Sequence, residues 1–145
     1  MALKDNREFI DALKKTGDVV CIKQEVDWDL EAGAITRHTN ELSGPAAFFE
    51  KVKDYPEGYR IFGGPVATYR RVAVAMGLPA DTPIKQIYDE YERRQDNPIP
   101  PVVVKDGPCK ENIQIGDEVD LLKFPVPQIT PPDGGRYIGT YHLTI

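Results

Sequence analysis

Near the start of the chain, apolar residues return at the spacing of one helix face. Phe9, Ile10 and Leu13 follow Asp5, and Glu8 stands three residues after that aspartate, the spacing of a capping box. Gly17 supplies a stop. Val19, Val20, Ile22 and Val26 then form a run rich in β-branched residues and predict a strand. A second helix is predicted after Asp27, which can cap it, with Asp29 and Glu31 set against the positive end of its dipole. Leu30, Ala34, His38 and Leu42 repeat along it every four residues with Ile35 beside them, and Ser43-Gly44-Pro45 ends it.

Ala46 to Val52 reads as a strand buried on at least one face, because it carries Phe48 and Phe49. A turn at Tyr55-Pro56-Glu57-Gly58 leads to a strand from Tyr59 to Phe62. Gly63-Gly64-Pro65 breaks the chain. Tyr69, Val72, Ala73 and Met76 then give a short helix ending at Gly77. Thr82 is placed to cap a further helix with Pro83 in its first turn. Ile84, Ile87, Tyr88 and Tyr91 form the expected inward face of that helix. The order predicts an α/β fold: a small layered N-terminal domain over residues 1–100.

The pattern changes near Asn97. Eight of the 13 prolines lie at or after Pro98. Val102–Val104 reads as a strand or a linker, Ile113 and Ile115 alternate, and Gly116-Asp117 marks a turn. Pro125, Pro127, Pro131 and Pro132 hold an extended segment that cannot be a central strand, because proline has no amide to donate. After the turn at Asp133-Gly134-Gly135, alternation from Tyr137 to Ile145 predicts a strand. Residues 101–145 are therefore expected to be a linker and the beginning of a second, β-rich domain. A strand running to the last residue predicts either a piece of a longer chain or pairing with another molecule.

Composition excludes several function classes. A net charge of −5 without a basic stripe argues against non-specific nucleic-acid binding. No apolar run approaches the roughly 20 residues that span a bilayer, and the first ten residues carry no apolar core of a secretory leader. The two cysteines, Cys21 and Cys109, are far apart and have no metal-ligand spacing. A reducing, cytoplasmic setting without disulfides is the expectation.

The candidate chemistry is sparse. His38 is either a packed or interface histidine or a general base, and His142 lacks partners for a metal site. Cys21 reads as a small buried hydrophobe and Cys109 as an exposed loop thiol. Arg70 and Arg71, after the glycine break, either clamp a phosphate or carboxylate or form a solvated face. Gly134-Gly135-Arg136 is either an anion-binding nest or a plain turn.

Several runs together carry a resemblance. They are Arg7-Glu8-Phe9-Ile10-Asp11-Ala12-Leu13, Glu25-Val26-Asp27 leading into Leu30-Glu31, Gly44-Pro45-Ala46-Ala47-Phe48-Phe49-Glu50, and Tyr69-Arg70-Arg71-Val72-Ala73-Val74-Ala75-Met76-Gly77-Leu78. The most specific is Gly116-Asp117-Glu118-Val119-Asp120-Leu121-Leu122-Lys123-Phe124-Pro125-Val126-Pro127, followed by Asp133-Gly134-Gly135-Arg136-Tyr137-Ile138. In this order they resemble the amino-terminal part of the UbiD-like decarboxylases. The resemblance implies reversible decarboxylation of aromatic and other unsaturated acids, with prenylated FMN, a divalent metal (typically Mn2+) and K+ as cofactors.

It also implies that residues 101–145 begin a split β-barrel that binds the flavin, and that the parent enzyme is a homo-oligomer acting on an aromatic carboxylic acid or phenolic substrate. Only Thr140 aligns with a flavin-lining position. The family's metal-binding and catalytic positions fall beyond Ile145, so no catalytic or metal residue is carried over. The segment alone is expected to be inactive. A non-catalytic accessory or assembly subunit built on the same domain is the alternative.

Overall fold

The computed structural model describes residues 3–138. Helix α1 spans Asn6–Thr16, and its start is the predicted one: the Asp5 carboxylate accepts from the amides of Arg7 and Glu8, both at 2.9 Å. Glu8 reaches back to the Lys4 amide, one residue outside the cap. Gly17 closes the helix with φ 74°, a left-handed conformation that glycine adopts without steric cost.

Strands β1 (Val19–Val26) and β2 (Ala46–Val52) run parallel, in register from Val19↔Ala46 to Ile22↔Phe49, with an irregularity before Glu25. A parallel pair needs a crossover, and helix α2 (Glu31–Glu41) provides it. Strand β3 (Ile61–Gly63) adds antiparallel to β2, giving the order β1-β2-β3.

Central β2 is covered on both faces. Ala47, Phe49 and Val52 pack with Val26 and Ala32 on the α2 side, joined by Ile35 and Ile61. On the other side Phe9 and Leu13 of α1 pack with Val74 of helix α3 (Tyr69–Ala75). Phe62 links α1 to β2 there, meeting both Phe9 and Phe48 edge to face. The result is the expected mixed, layered α/β fold.

Four local expectations fail, each for a physical reason. The stripe Ala34–His38–Leu42 faces water, and Leu42 is 68% exposed. The core side of α2 is instead Ala32 and Gly33, small residues that allow close approach but add little to an apolar period. Asp27 does not cap α2. Its carboxylate accepts from the Asp29 amide at 2.9 Å and pairs with Lys53 at 2.5 Å, while Glu31 accepts from the Asp27 amide. Thr82 does not cap helix α4 (Ile84–Gln95), because its hydroxyl donates to the Pro79 carbonyl at 2.6 Å. Of the expected inward face of α4 only Ile87 is buried; Ile84, Tyr88 and Tyr91 are more than half exposed.

Beyond α4 the described chain has three single-turn 3-10 helices, Pro108–Lys110, Gly116–Glu118 and Leu121–Lys123. Val102–Val104, Ile113 and Ile115 form no strand and are exposed. Most of the alternation that predicted the last strand, residues 139–145, lies outside the described residues; Tyr137 and Ile138 themselves belong to no helix or strand among the described residues.

Candidate functional site

Residues 122–138 form a strap that returns to the α/β layer. Its proline content prevents ladder pairing along its length, yet one register is made. The Leu30 amide donates to the Gln128 carbonyl and the Gln128 amide donates to the Trp28 carbonyl, both at 3.0 Å, giving a parallel bridge between Asp29 and Gln128. Leu30 takes φ 66° at this point, an uncommon conformation for a bulky side chain, and α2 begins directly after it. At the following turn the Asp133 carboxylate accepts from the Thr130 amide at 2.8 Å, and hydrogen bonds from Thr130 hold its pKa below the usual carboxylate range.

The strap is fastened by Arg136. Its guanidinium carbon lies 4.1 Å from the centre of the Trp28 ring and 5.7 Å from that of Tyr55. Its Nε donates to the Val126 carbonyl at 2.6 Å, and its terminal nitrogen bonds the Tyr55 hydroxyl. Tyr55 in turn donates to the Leu122 carbonyl at 2.8 Å. Among the described residues no carboxylate pairs with Arg136; ring faces and carbonyl oxygens surround the charge.

Between the strap and β3 lies an open cleft of about 540 Å³. Its walls are mostly apolar, with Phe62, Phe124, Ile129 and Tyr137 among them, and Arg60 supplies the cation at its rim. Arg60 also stacks on Phe48, with 5.7 Å from guanidinium carbon to ring centre.

The other sequence candidates separate clearly. Arg70 is an ion-pair residue, with its Nε 2.8 Å from Asp18 and a terminal nitrogen 3.2 Å from the Thr16 carbonyl. Arg71 is 1% exposed; it donates to the Gly44 carbonyl at 2.5 Å and to Asn40 Oδ1 at 3.3 Å, and its Nε has no partner. Burial pushes its pKa down. Arg71 is thus neither an anion clamp nor a solvated residue: it holds the α2–β2 connection from inside. His38 is exposed, so it is not packed within this chain. Cys21 is half-buried rather than buried, and Cys109 is exposed as expected.

Gly134-Gly135 forms a turn, Gly135 with φ 138°, and the arginine after it is the fastener of the strap. Thr140 and His142 lie outside the described residues. Among the described residues no group of three or more His, Cys, Asp or Glu fits a metal ion. With both Arg70 and Arg71 engaged, these residues fit neither the metal nor the phosphate of a flavin cofactor. The sequence reading missed Trp28 and Tyr55, the partners of Arg136. Trp28 is the single tryptophan, and that alone was the signal available.

The fold is a layered α/β unit with a proline-rich strap that returns to it. The 3-octaprenyl-4-hydroxybenzoate carboxy-lyase N-terminal domain model matches residues 10–91, and the Rift-related domain model of the same carboxy-lyase matches residues 101–145. The chain belongs to this UbiD family.

It is 39% identical to pyrrole-2-carboxylic acid decarboxylase of Pseudomonas aeruginosa over 145 residues, covering 94% of this chain and 29% of that protein. It is 37% identical to ferulic acid decarboxylase 1 of Candida dubliniensis, covering 96% and 30%. Vanillic acid decarboxylase of Sedimentibacter hydroxybenzoicus superposes with a TM-score of 0.84 at 35% identity, in its open and its closed form alike, over 95% of this chain and 30% of that one. A UbiD-class enzyme of Pelotomaculum thermopropionicum in complex with prFMN superposes at 0.74 and 28% identity, over 91% and 30%. The chain therefore spans about three-tenths of the length of these relatives.

Proposed function

We propose that this chain is the N-terminal segment of a prenylated-FMN-dependent enzyme that reversibly decarboxylates aromatic or other unsaturated carboxylic acids. One observation carries the reading: both family domains match in order along the chain, residues 10–91 and then 101–145. The proposed division is an α/β domain over residues 1–100 and, over residues 101–145, a linker with the start of the flavin-binding split barrel. The named activities of the relatives, on pyrrole-2-carboxylic, ferulic and phenolic acids, support an aromatic or heteroaromatic acid as substrate. A relative in complex with prFMN supports the flavin.

In the parent enzyme prenylated FMN would supply the electron sink that a decarboxylation needs. Mn2+ and K+ accompany it in this reading, and Thr140 lines it. The parent is a cytoplasmic homo-oligomer. The 145-residue segment alone is inactive in this reading, which is supported by the want of a cluster of three or more metal-ligating side chains among the described residues. The equal likeness to the open and closed forms of the vanillic acid decarboxylase favours a segment that keeps one internal shape while its parent moves.

The test pairs the segment with the longer polypeptide that carries it. Both are titrated with prenylated FMN and Mn2+ and assayed for CO2 release from a panel of aromatic acids. Flavin binding and CO2 release by the longer chain alone are the expected result. No release from any acid would sink the decarboxylase reading. A stoichiometric flavin complex of the isolated segment at micromolar affinity or better would overturn its inactivity.

A further inference from the structure

We propose that Arg136 is a latch that locks the strap to the α/β layer, so that residues up to Ile138 form one rigid unit and the β3 cleft keeps its second wall. The contacts of Arg136 with Trp28, Tyr55 and Val126, and of Tyr55 with Leu122, carry this inference, and it stands or falls independently of the decarboxylase reading.

Among the described residues the strap's proline-rich backbone makes two bridge bonds to the β1–α2 loop, both at Gln128. Both join half-buried residues far apart in sequence, and an isolated pair of backbone bonds opens easily on its own. Among the described residues beyond the Asp133-Gly134-Gly135 turn, Arg136 is the side chain that reaches both the α/β layer and the strap itself. It stacks on Trp28, whose own carbonyl accepts from Gln128, and bonds Tyr55, which holds Leu122. Latch and bridge therefore meet at Trp28. The planar, five-donor guanidinium is needed for this: it stacks with its face and donates with its edge at the same time, which an ammonium cannot do. Because its charge is met by rings and carbonyls rather than by a carboxylate, salt should screen the latch weakly. Phe124, Val126 and Ile129, which wall the cleft, are carried by the strap.

The experiment uses the 145-residue chain. Amide exchange is followed by NMR in the wild type, Arg136→Met, Arg136→Lys and Tyr55→Phe, with Trp28 emission recorded alongside. Arg136→Met is expected to speed exchange of the Gln128 and Leu30 amides at least tenfold and to shift Trp28 emission towards that of exposed indole. The β2 amides of Phe48 and Phe49 should be unchanged. Arg136→Lys should fail to restore protection, and Tyr55→Phe should give a smaller, several-fold loss. Wild-type protection at Gln128 should persist in 0.5 M NaCl.

Unchanged Gln128 exchange in Arg136→Met would overturn the latch. So would full rescue by lysine, which would reduce Arg136 to a point charge. If Arg136→Met loses β2 protection as well, the Tyr55→Phe comparison decides, and wild-type exchange at Gln128 in that variant would overturn the proposal.

Discussion

Gly33 and Ile129 meet backbone to backbone. A Cβ built on Gly33 would lie 2.5 Å from the Ile129 carbonyl oxygen and 2.8 Å from its Cα. Both contacts are with main chain, which cannot rotate away as a side chain can. Helix α2 therefore approaches the strap as closely as its backbone allows, at the one helical position without a side chain in the way.

Gly33→Ala should consequently destabilise the protein, although alanine is the better helix former by about 1 kcal/mol. Steric overpacking of about 1–3 kcal/mol opposes that gain. The expected outcome is a net loss of stability in urea unfolding, with faster exchange at Gln128 as the strap is pushed off. A stabilised Gly33→Ala protein would show that the strap gives way freely.

Arg71 gives a second prediction. Replacing it by methionine keeps the volume but removes the donors to Gly44 and Asn40. A buried carbonyl left without its donor costs about 1–3 kcal/mol, and the loss should appear as a lower urea midpoint at unchanged slope. Asn40→Ala should cost less in the Arg71→Met background than in the wild type, because the bond between the two is then already gone. Additive effects of the two substitutions would show that they act separately.

The sequence made the layered α/β order and most element boundaries readable, because α1, β1 and β2 declare themselves through caps, β-branched runs and paired phenylalanines. It misled at α2, where the core face is made of Ala32 and Gly33 and the apolar period runs along the water side. Small residues at a close approach leave no hydrophobic signature. The strap was readable as extended, since proline dictates that locally. Its attachment was not, because the partners of Arg136 stand about 80 and 110 residues away in sequence, at Tyr55 and Trp28. For Arg71 the sequence left an anion clamp and a solvated face open, and only the fold reveals that its acceptors are a carbonyl and an amide of its own chain.

Acid should act on α4. Hydrogen bonds from Arg93, then Arg94, lower the Glu90 pKa from 4.5 to about 2. A folded-state pKa below the unfolded value gives a stability contribution that is present above pH 4.5. It is lost as the pH falls through that value towards 2. The difference in stability between the wild type and Glu90→Gln should therefore be constant above pH 5 and shrink between about pH 4.5 and 2. Far-ultraviolet circular dichroism during urea unfolding at stepped pH measures it. A difference that does not change over this window would mean that the Arg93 and Arg94 contacts are not maintained in solution.

Thr140 carries the last prediction, in the longer polypeptide. If its hydroxyl bonds the flavin, Thr140→Val removes that bond at nearly constant volume. The expected loss is about 0.5–1.5 kcal/mol in cofactor binding, read as a weaker equilibrium titration with prenylated FMN. Valine is also the stronger strand former, so a general loss of fold is not expected, and thermal unfolding of the flavin-free protein should stay near the wild-type value. Weaker flavin binding at constant flavin-free stability assigns the hydroxyl to the cofactor. Unchanged occupancy with unchanged turnover would show that the Thr140 hydroxyl makes no bond to the flavin and would remove the one cofactor contact proposed for this chain.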